Sequence, residues 1–253
     1  MGLRNKILAA ASVLTLAGGL AAAGAASIPA KAATPSCGAQ CVELYNRAIG
    51  HHFDLDVFRG APKVAQPIIL FSRSNTDAAQ DFTVSLQGTV ADFYAAGLIS
   101  GAVAHHYGCT VGSGQYQFPS CAGAVNAPAF ELEYQPLGQD TGLCMGTPSL
   151  AGKPIAVTNG TKVALEPCGE DAATIWIVDT NRQDVPTGAD NFVGISGAQT
   201  NFSHPYVLTY PGNGYPTDVP RPQLFVHTLQ RFSQGSPSVY DNEIWRGVVG
   251  VLP

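Results

Sequence analysis

The chain has 253 residues, 45% of them hydrophobic and 12% charged, with thirteen basic residues against eighteen acidic ones and a net charge of −5. That balance excludes a surface built for nucleic acid or anionic lipid, and no run of lysine or arginine overrides it. The apolar content suffices for a core, and the length suits a single large domain.

In chain order, Arg4 and Lys6 precede an uncharged run from Ile7 to Ala26, and Ala30-Lys31-Ala32 then supplies the small-x-small pattern of a cleavage site. Residues 1–32 are therefore read as a secretion signal peptide, with a mature chain starting near Ala33. A membrane span is the poorer reading, because the run is rich in alanine and glycine and no stop-transfer segment follows it. Removing the peptide leaves ten basic residues against eighteen acidic ones, a charge of −8 on 221 residues. The protein is expected to be secreted, with no membrane span in its mature form and no nucleic-acid partner.

Residues 38–49 (GAQCVELYNRAI) have a helical look, and 33–49 is assigned as a short N-terminal helical segment. From residue 50 the chain breaks into short β-branched or aromatic runs such as FDLDVF, PIILF, FELEY, TIWIVD and QLFVHTL, punctuated by glycine, proline, asparagine and aspartate. This describes an all-β sandwich or barrel. Six cysteines, an even number in a chain read as exported, imply three disulfides rather than a metal or redox site. Sequence proximity favours Cys37 with Cys41, Cys109 with Cys121, and Cys144 with Cys168.

Three segments repeat one order of events: an alternating strand, a Gly/Pro-rich excursion, a second apolar strand, a polar turn and a closing aromatic. They open at FDLDV (53–57), GLCMGT (142–147) and YVLTY (206–210), and close on Gln80-Asp81-Phe82, Thr174-Ile175-Trp176 and Glu243-Ile244-Trp245. Aligning Asp56, Gly146 and Thr209 leaves an excess between the first two repeats, which falls where Cys109 and Cys121 bracket CTVGSGQYQFPSC. The domain, 50–253, is accordingly divided into repeats of about 50–99, 128–190 and 200–253, with a disulfide-closed insertion at about 100–127.

These residues resemble the ricin-B-type β-trefoil lectins, whose three repeats each open on Cys-Leu-Asp-Val and end in Gln-x-Trp. Leu143-Cys144 and Cys168 match the intra-repeat bridge of that family, while Leu55-Asp56-Val57 and Gln80-x-Phe82 match its opening and closing elements. The resemblance covers about 50–253 and implies a β-trefoil that binds glycans without catalysis. It also places Phe82, Trp176 and Trp245 in a shared core, each burying about 150–250 Å².

Sugar binding in such proteins uses an aspartate after the opening strand, a stacking aromatic and an asparagine before the closing glutamine. Carried over by position, the first repeat supplies Asp56, Phe71 and Gln80, with Ala79 at the asparagine position. The second has Gly146 for the acid and Leu165 near the aromatic position. The third has Thr209 for the acid, with Asn242 and either Phe225 or His227. Weak binding is therefore expected in the first repeat.

Two other classes of function have candidates. The proline-rich stretch PGNGYPTDVPRP (211–222) suits the rigid loop of a protease inhibitor, and an enzyme site built by the insertion is a second alternative. Neither Val111-Gly112-Ser113-Gly114 nor Gly194-Ile195-Ser196-Gly197 has the spacing of a serine-nucleophile turn. Glu131 and Glu133 alternate on a strand and read as a solvated face rather than a hydrolytic pair. The pairs His51-His52 and His105-His106 are consecutive, so in a strand they would face opposite ways, and no metal or cofactor is expected. Asn159-Gly160-Thr161 and Asn201-Phe202-Ser203 match the glycosylation acceptor.

Overall fold

The structure, a computed structural model, describes residues 41–107, 109–110, 120–121, 127–150, 153–169, 172–179, 191–199, 204–212, 222–230 and 240–248. All belong to the compact unit Ala33–Pro253. The expected signal peptide, Cys37, most of the proline-rich 211–222 loop and Asn201 lie outside them.

Each repeat contributes four principal strands. In the first these are β1 (Glu43–Asn46), β2 (Phe53–Val57), β3 (Ile68–Ser72) and β4 (Phe82–Thr89). The second has β5 (Pro128–Tyr134), β6 (Leu143–Gly146), β7 (Ala164–Pro167) and β8 (Trp176–Asp179). The third has β9 (Asn191–Ser196), β10 (Tyr206–Thr209), β11 (Phe225–Thr228) and β12 (Trp245–Val248). A short 3-10 turn precedes each closing strand, at Ala78–Gln80, Ala172–Thr174 and Asp241–Glu243.

The first and last strands of the repeats form a barrel. β1 pairs with β12, β12 with β9, β9 with β8, β8 with β5 and β5 with β4, all antiparallel. The Val42 N–H then donates to Phe82 O at 2.8 Å, bringing the entry to β1 against β4 and completing the cycle. A closed cycle has no exposed edge.

The middle strands form three hairpins, β2–β3, β6–β7 and β10–β11. Their tips meet in a ring of backbone bonds: Ile68 N–H donates to Val163 O (3.2 Å), Val163 N–H to Leu224 O (2.9 Å) and Leu224 N–H to Ile68 O (2.9 Å). Barrel and triangular cap together make a β-trefoil. In the hairpin registers Asp56 faces Ile69, Gly146 faces Ala164 and Thr209 faces Phe225, so the three opening positions aligned by spacing are structurally equivalent.

The period of two in each strand sends one set of side chains inward. Phe130, Leu132 and Tyr134 from β5 join Phe82, Trp176 and Trp245, all but inaccessible, in one core with Leu55, Met145 and Leu208. The two indoles are also anchored by hydrogen bonds, Trp176 Nε1 to Met145 O (2.9 Å) and Trp245 Nε1 to Leu208 O (2.8 Å). The closing aromatics are core residues, as expected.

Three expectations differ from the structure. Residues 43–46 form a strand, not a helix, because Val42, Leu44 and Asn46 turn inward while the backbone pairs with β12 from Glu43↔Val248 to Asn46↔Trp245. That long-range ladder outweighs a weak local helical preference.

The extra segment between the first two repeats begins at Val90, ten residues before the expected 100. Thr89 and Asp92 form a capping box that ends β4 and starts helix α1 (Val90–Ala95), followed by α2 (Gly101–His106). Val90, Phe93, Val103 and Tyr107 of this segment pack on the outer barrel residues Ile177, Val193 and Ile195. Beyond α2 the backbone sets Cys109 opposite Cys121.

Glu131 and Glu133 are buried, 0% and 7% exposed, instead of forming a solvated face. The second hairpin closes over that side of β5, and its turns satisfy both carboxylates. Gly169 N–H donates to Glu131 (2.8 Å) and Gly142 N–H to Glu133 (2.9 Å).

Cys144 and Cys168 form the expected disulfide. Cys41 is also disulfide-bonded, and no described cysteine is free.

Candidate functional site

The closing glutamine of the first repeat holds its own hairpin together. Gln80 Oε1 accepts from Ser74 N–H (2.8 Å), and Nε2 donates to Ser72 O (2.9 Å) and to Asp56 Oδ2 (3.4 Å). Asp56 is 4% exposed, not presented to solvent as the resemblance implied. Its carboxylate and Gln80 brace the turn between β3 and the 3-10 segment. Phe71 shares the Asp56 face but lies directly across from Asp54 in the β2–β3 register. Ala79 is buried at the asparagine position, and its N–H donates to Asp77 Oδ1 (3.0 Å).

The equivalent places in the other repeats are filled by protein. A Cβ on Gly146 would lie 2.9 Å from Ala173 O, so an aspartate could not enter there without moving the backbone. Thr209 is buried and donates to Val207 O, while Asn242 exchanges bonds with the Tyr210 backbone. His227 Nδ1 is 2.8 Å from Thr228 O.

An open groove of about 400 Å³ nevertheless lies on the first repeat, lined by His51, His52, Arg73 and Asn75. Arg73 and Asn75 also border a smaller recess that reaches Glu43, Asp54, Ser74 and Gln80. The groove has two walls. One is the β1–β2 turn, where the His51 and His52 rings lie 4.2 Å apart and Tyr45 meets His51 edge-on at 6.4 Å. The other begins where β3 ends, and the Arg73 N–H donates to His52 O (2.9 Å), tying the two together. The histidines occupy a turn, so the strand argument that separates consecutive rings does not apply to them. The Arg73 guanidinium pairs with Glu43.

Asp54 is 5% exposed and takes the place of a backbone contact. In the second and third repeats the first and second strands touch at one ladder pair, Glu133↔Cys144 and Ile195↔Val207. At the corresponding point of the first repeat, Asp54 Oδ1 accepts from Leu44 N–H (2.8 Å) and from Leu55 N–H (2.8 Å). Burial pushes its carboxyl up to about 7, against those two bonds, which lower it. FDLDV displayed both aspartates to sequence reasoning, but alternation alone could not show which one approaches the groove.

The acids considered for hydrolysis are committed elsewhere. Glu131 accepts from Ser85 Oγ (2.8 Å), Gly169 N–H and Thr174 Oγ1. Glu133 accepts from Gln135 Nε2 and Gly142 N–H; burial first, then a hydrogen bond with Asp140, raise its pKa. Among the described residues the one three-ligand cluster is Glu131 with Cys144 and Cys168, whose two sulfurs are joined as the disulfide. No described helix is long and apolar enough to cross a membrane.

No family model matches the chain, and no curated protein matches its sequence. Solved structures do resemble it. A designed 3-fold symmetric protein, ThreeFoil, is 12% identical with a TM-score of 0.46, covering 83% of this chain and 98% of that one. The Rhizoctonia solani agglutinin is 12% identical with a TM-score of 0.44, covering 89% and 99%. An exo-beta-1,3-galactanase from Clostridium thermocellum is 11% identical with a TM-score of 0.45, covering 83% of this chain and 30% of that one. The fold assignment itself rests on the strand pairing and the hairpin ring described above.

Proposed function

We propose that the protein is a secreted, non-catalytic carbohydrate-binding β-trefoil that binds a sugar weakly through its first repeat. The observation that carries this reading is the groove with exposed paired imidazoles on one wall and Arg73 and Asn75 on the other. Flat rings offer a face to the C–H side of a pyranose, and a guanidinium and an amide offer directed hydrogen bonds to its substituents. The groove is open and its residues are solvated, so affinity is expected in the millimolar range, about −4 kcal/mol. Engagement of Glu131 and Glu133 in buried bonds favours binding over hydrolysis.

NMR titration with galactose and related sugars tests the proposal. Shifts clustered at His51, His52, Arg73 and Asn75 are expected, and their absence across a panel of sugars overturns the reading. Sequencing the N-terminus of the exported protein tests secretion, with a start near Ala33 expected.

A further inference from the structure

We propose that the first-repeat groove takes an acidic saccharide, one whose ring carries a carboxylate, in preference to a neutral hexose. The inference rests on the carbohydrate reading and deepens it.

It follows from a count of donors and acceptors. A neutral sugar presents hydroxyls, and a carboxylate is the group that best receives two of them. The acids of this region already have donors. Glu43 pairs with Arg73, Asp54 accepts two backbone N–H groups, and Asp81 Oδ2 accepts from Leu137 N–H (2.8 Å). Gln80 Oε1 is likewise taken by Ser74 N–H.

What faces the open groove carries no carboxylate: the Asn75 amide and the two imidazoles both donate and accept, and the Arg73 guanidinium donates only. The Glu43 contact runs from Arg73 Nη2 to one carboxylate oxygen, whereas a guanidinium carries five N–H donors in a planar fork. A second carboxylate can therefore engage the same guanidinium while its ring rests on the imidazole wall. The chain as a whole is acidic, but the Debye length of about 8 Å at physiological salt confines that repulsion, so the contact groups decide the preference.

The test compares galacturonate, galactose and the methyl ester of galacturonate, three ligands with one ring and different groups at C6, by NMR titration of the full protein. Galacturonate is expected to bind about tenfold tighter than the two neutral ligands, as a charge-assisted hydrogen bond allows. Arg73→Gln should bring the ratio of galacturonate to galactose affinity to about one. Glu43→Gln, which releases the competing carboxylate, should raise that ratio. Equal affinities in the parent protein, or a preference that survives Arg73→Gln, overturn the acidic-ligand inference while leaving carbohydrate binding intact. No binding of any of the three overturns both.

Discussion

Gln80 and Glu243 hold the same post in two different hairpins. Gln80 Oε1 accepts the Ser74 N–H, and the Glu243 carboxylate oxygens accept the Gln230 N–H at 3.0 and 3.2 Å. Each residue stands two positions before its closing aromatic. Glu243 is 1% exposed, and burial pushes its carboxyl up to about 8 against the Gln230 bond, which lowers it.

The ordinary value for Glu243 is 4.5, so between pH 4.5 and about 8 the folded protein keeps a proton that the unfolded chain has lost. Stability is full below pH 4.5 and falls as pH rises to about 8, by on the order of 4 kcal/mol from this group. Asp54 contributes in the same direction between 3.8 and about 7. Glu243→Gln should remove the Glu243 part, stabilising the protein at pH 8 and leaving it little changed at pH 4. Urea midpoints measured across that range check it, and a mutant with the parental slope contradicts it.

The indole bonds predict unequal effects at the three closing positions. Trp176→Phe or Trp245→Phe strands a buried carbonyl, Met145 O or Leu208 O, at a cost of about 1–3 kcal/mol. Truncation of either to Ala should cost about 3–5 kcal/mol. Phe82→Trp places a donor toward the equivalent Leu55 but enlarges a fully buried side chain, so it should cost no more than about 1–3 kcal/mol, less than either Trp→Ala truncation. Denaturant titration ranks the variants.

Asp56→Ala is expected to act on the fold rather than on a ligand. Asp56 is buried and shares Gln80 with the Ser72 carbonyl, so its removal should cost about 1–2 kcal/mol. Sugar-induced shifts at His51 and His52 should persist in the variant. Their loss, with an unchanged melting temperature, would return Asp56 to the binding site.

The Cys144–Cys168 bridge spans 24 residues of sequence, and replacing both cysteines by Ala should cost about 3 kcal/mol. For a domain of this size that corresponds to a fall of roughly 6–12 °C in melting temperature. Calorimetry of the double variant measures it directly.

The sequence by itself determined the all-β class and the three hairpins with their closing aromatics, and the proximity of its cysteines favoured the 144–168 bridge that the structure shows. These are local or periodic signals. Alternation marks a strand, glycine and proline mark its ends, and repeat spacing aligns Asp56 with Gly146 and Thr209 without knowledge of any contact. Only the tertiary structure decided that residues 43–46 are a strand, since their ladder partners lie some two hundred residues away in β12. It also decided the fates of the acids. FDLDV and FELEY show carboxylates at alternate positions, but whether such a face meets water depends on what folds over it. For Glu131 and Glu133 that is the second hairpin, and for Asp56 it is the Gln80 side chain. The groove was illegible for the same reason: the β1–β2 turn bearing His51 and His52 and the end of β3 bearing Arg73 become its two walls only when the β2–β3 ladder brings them side by side.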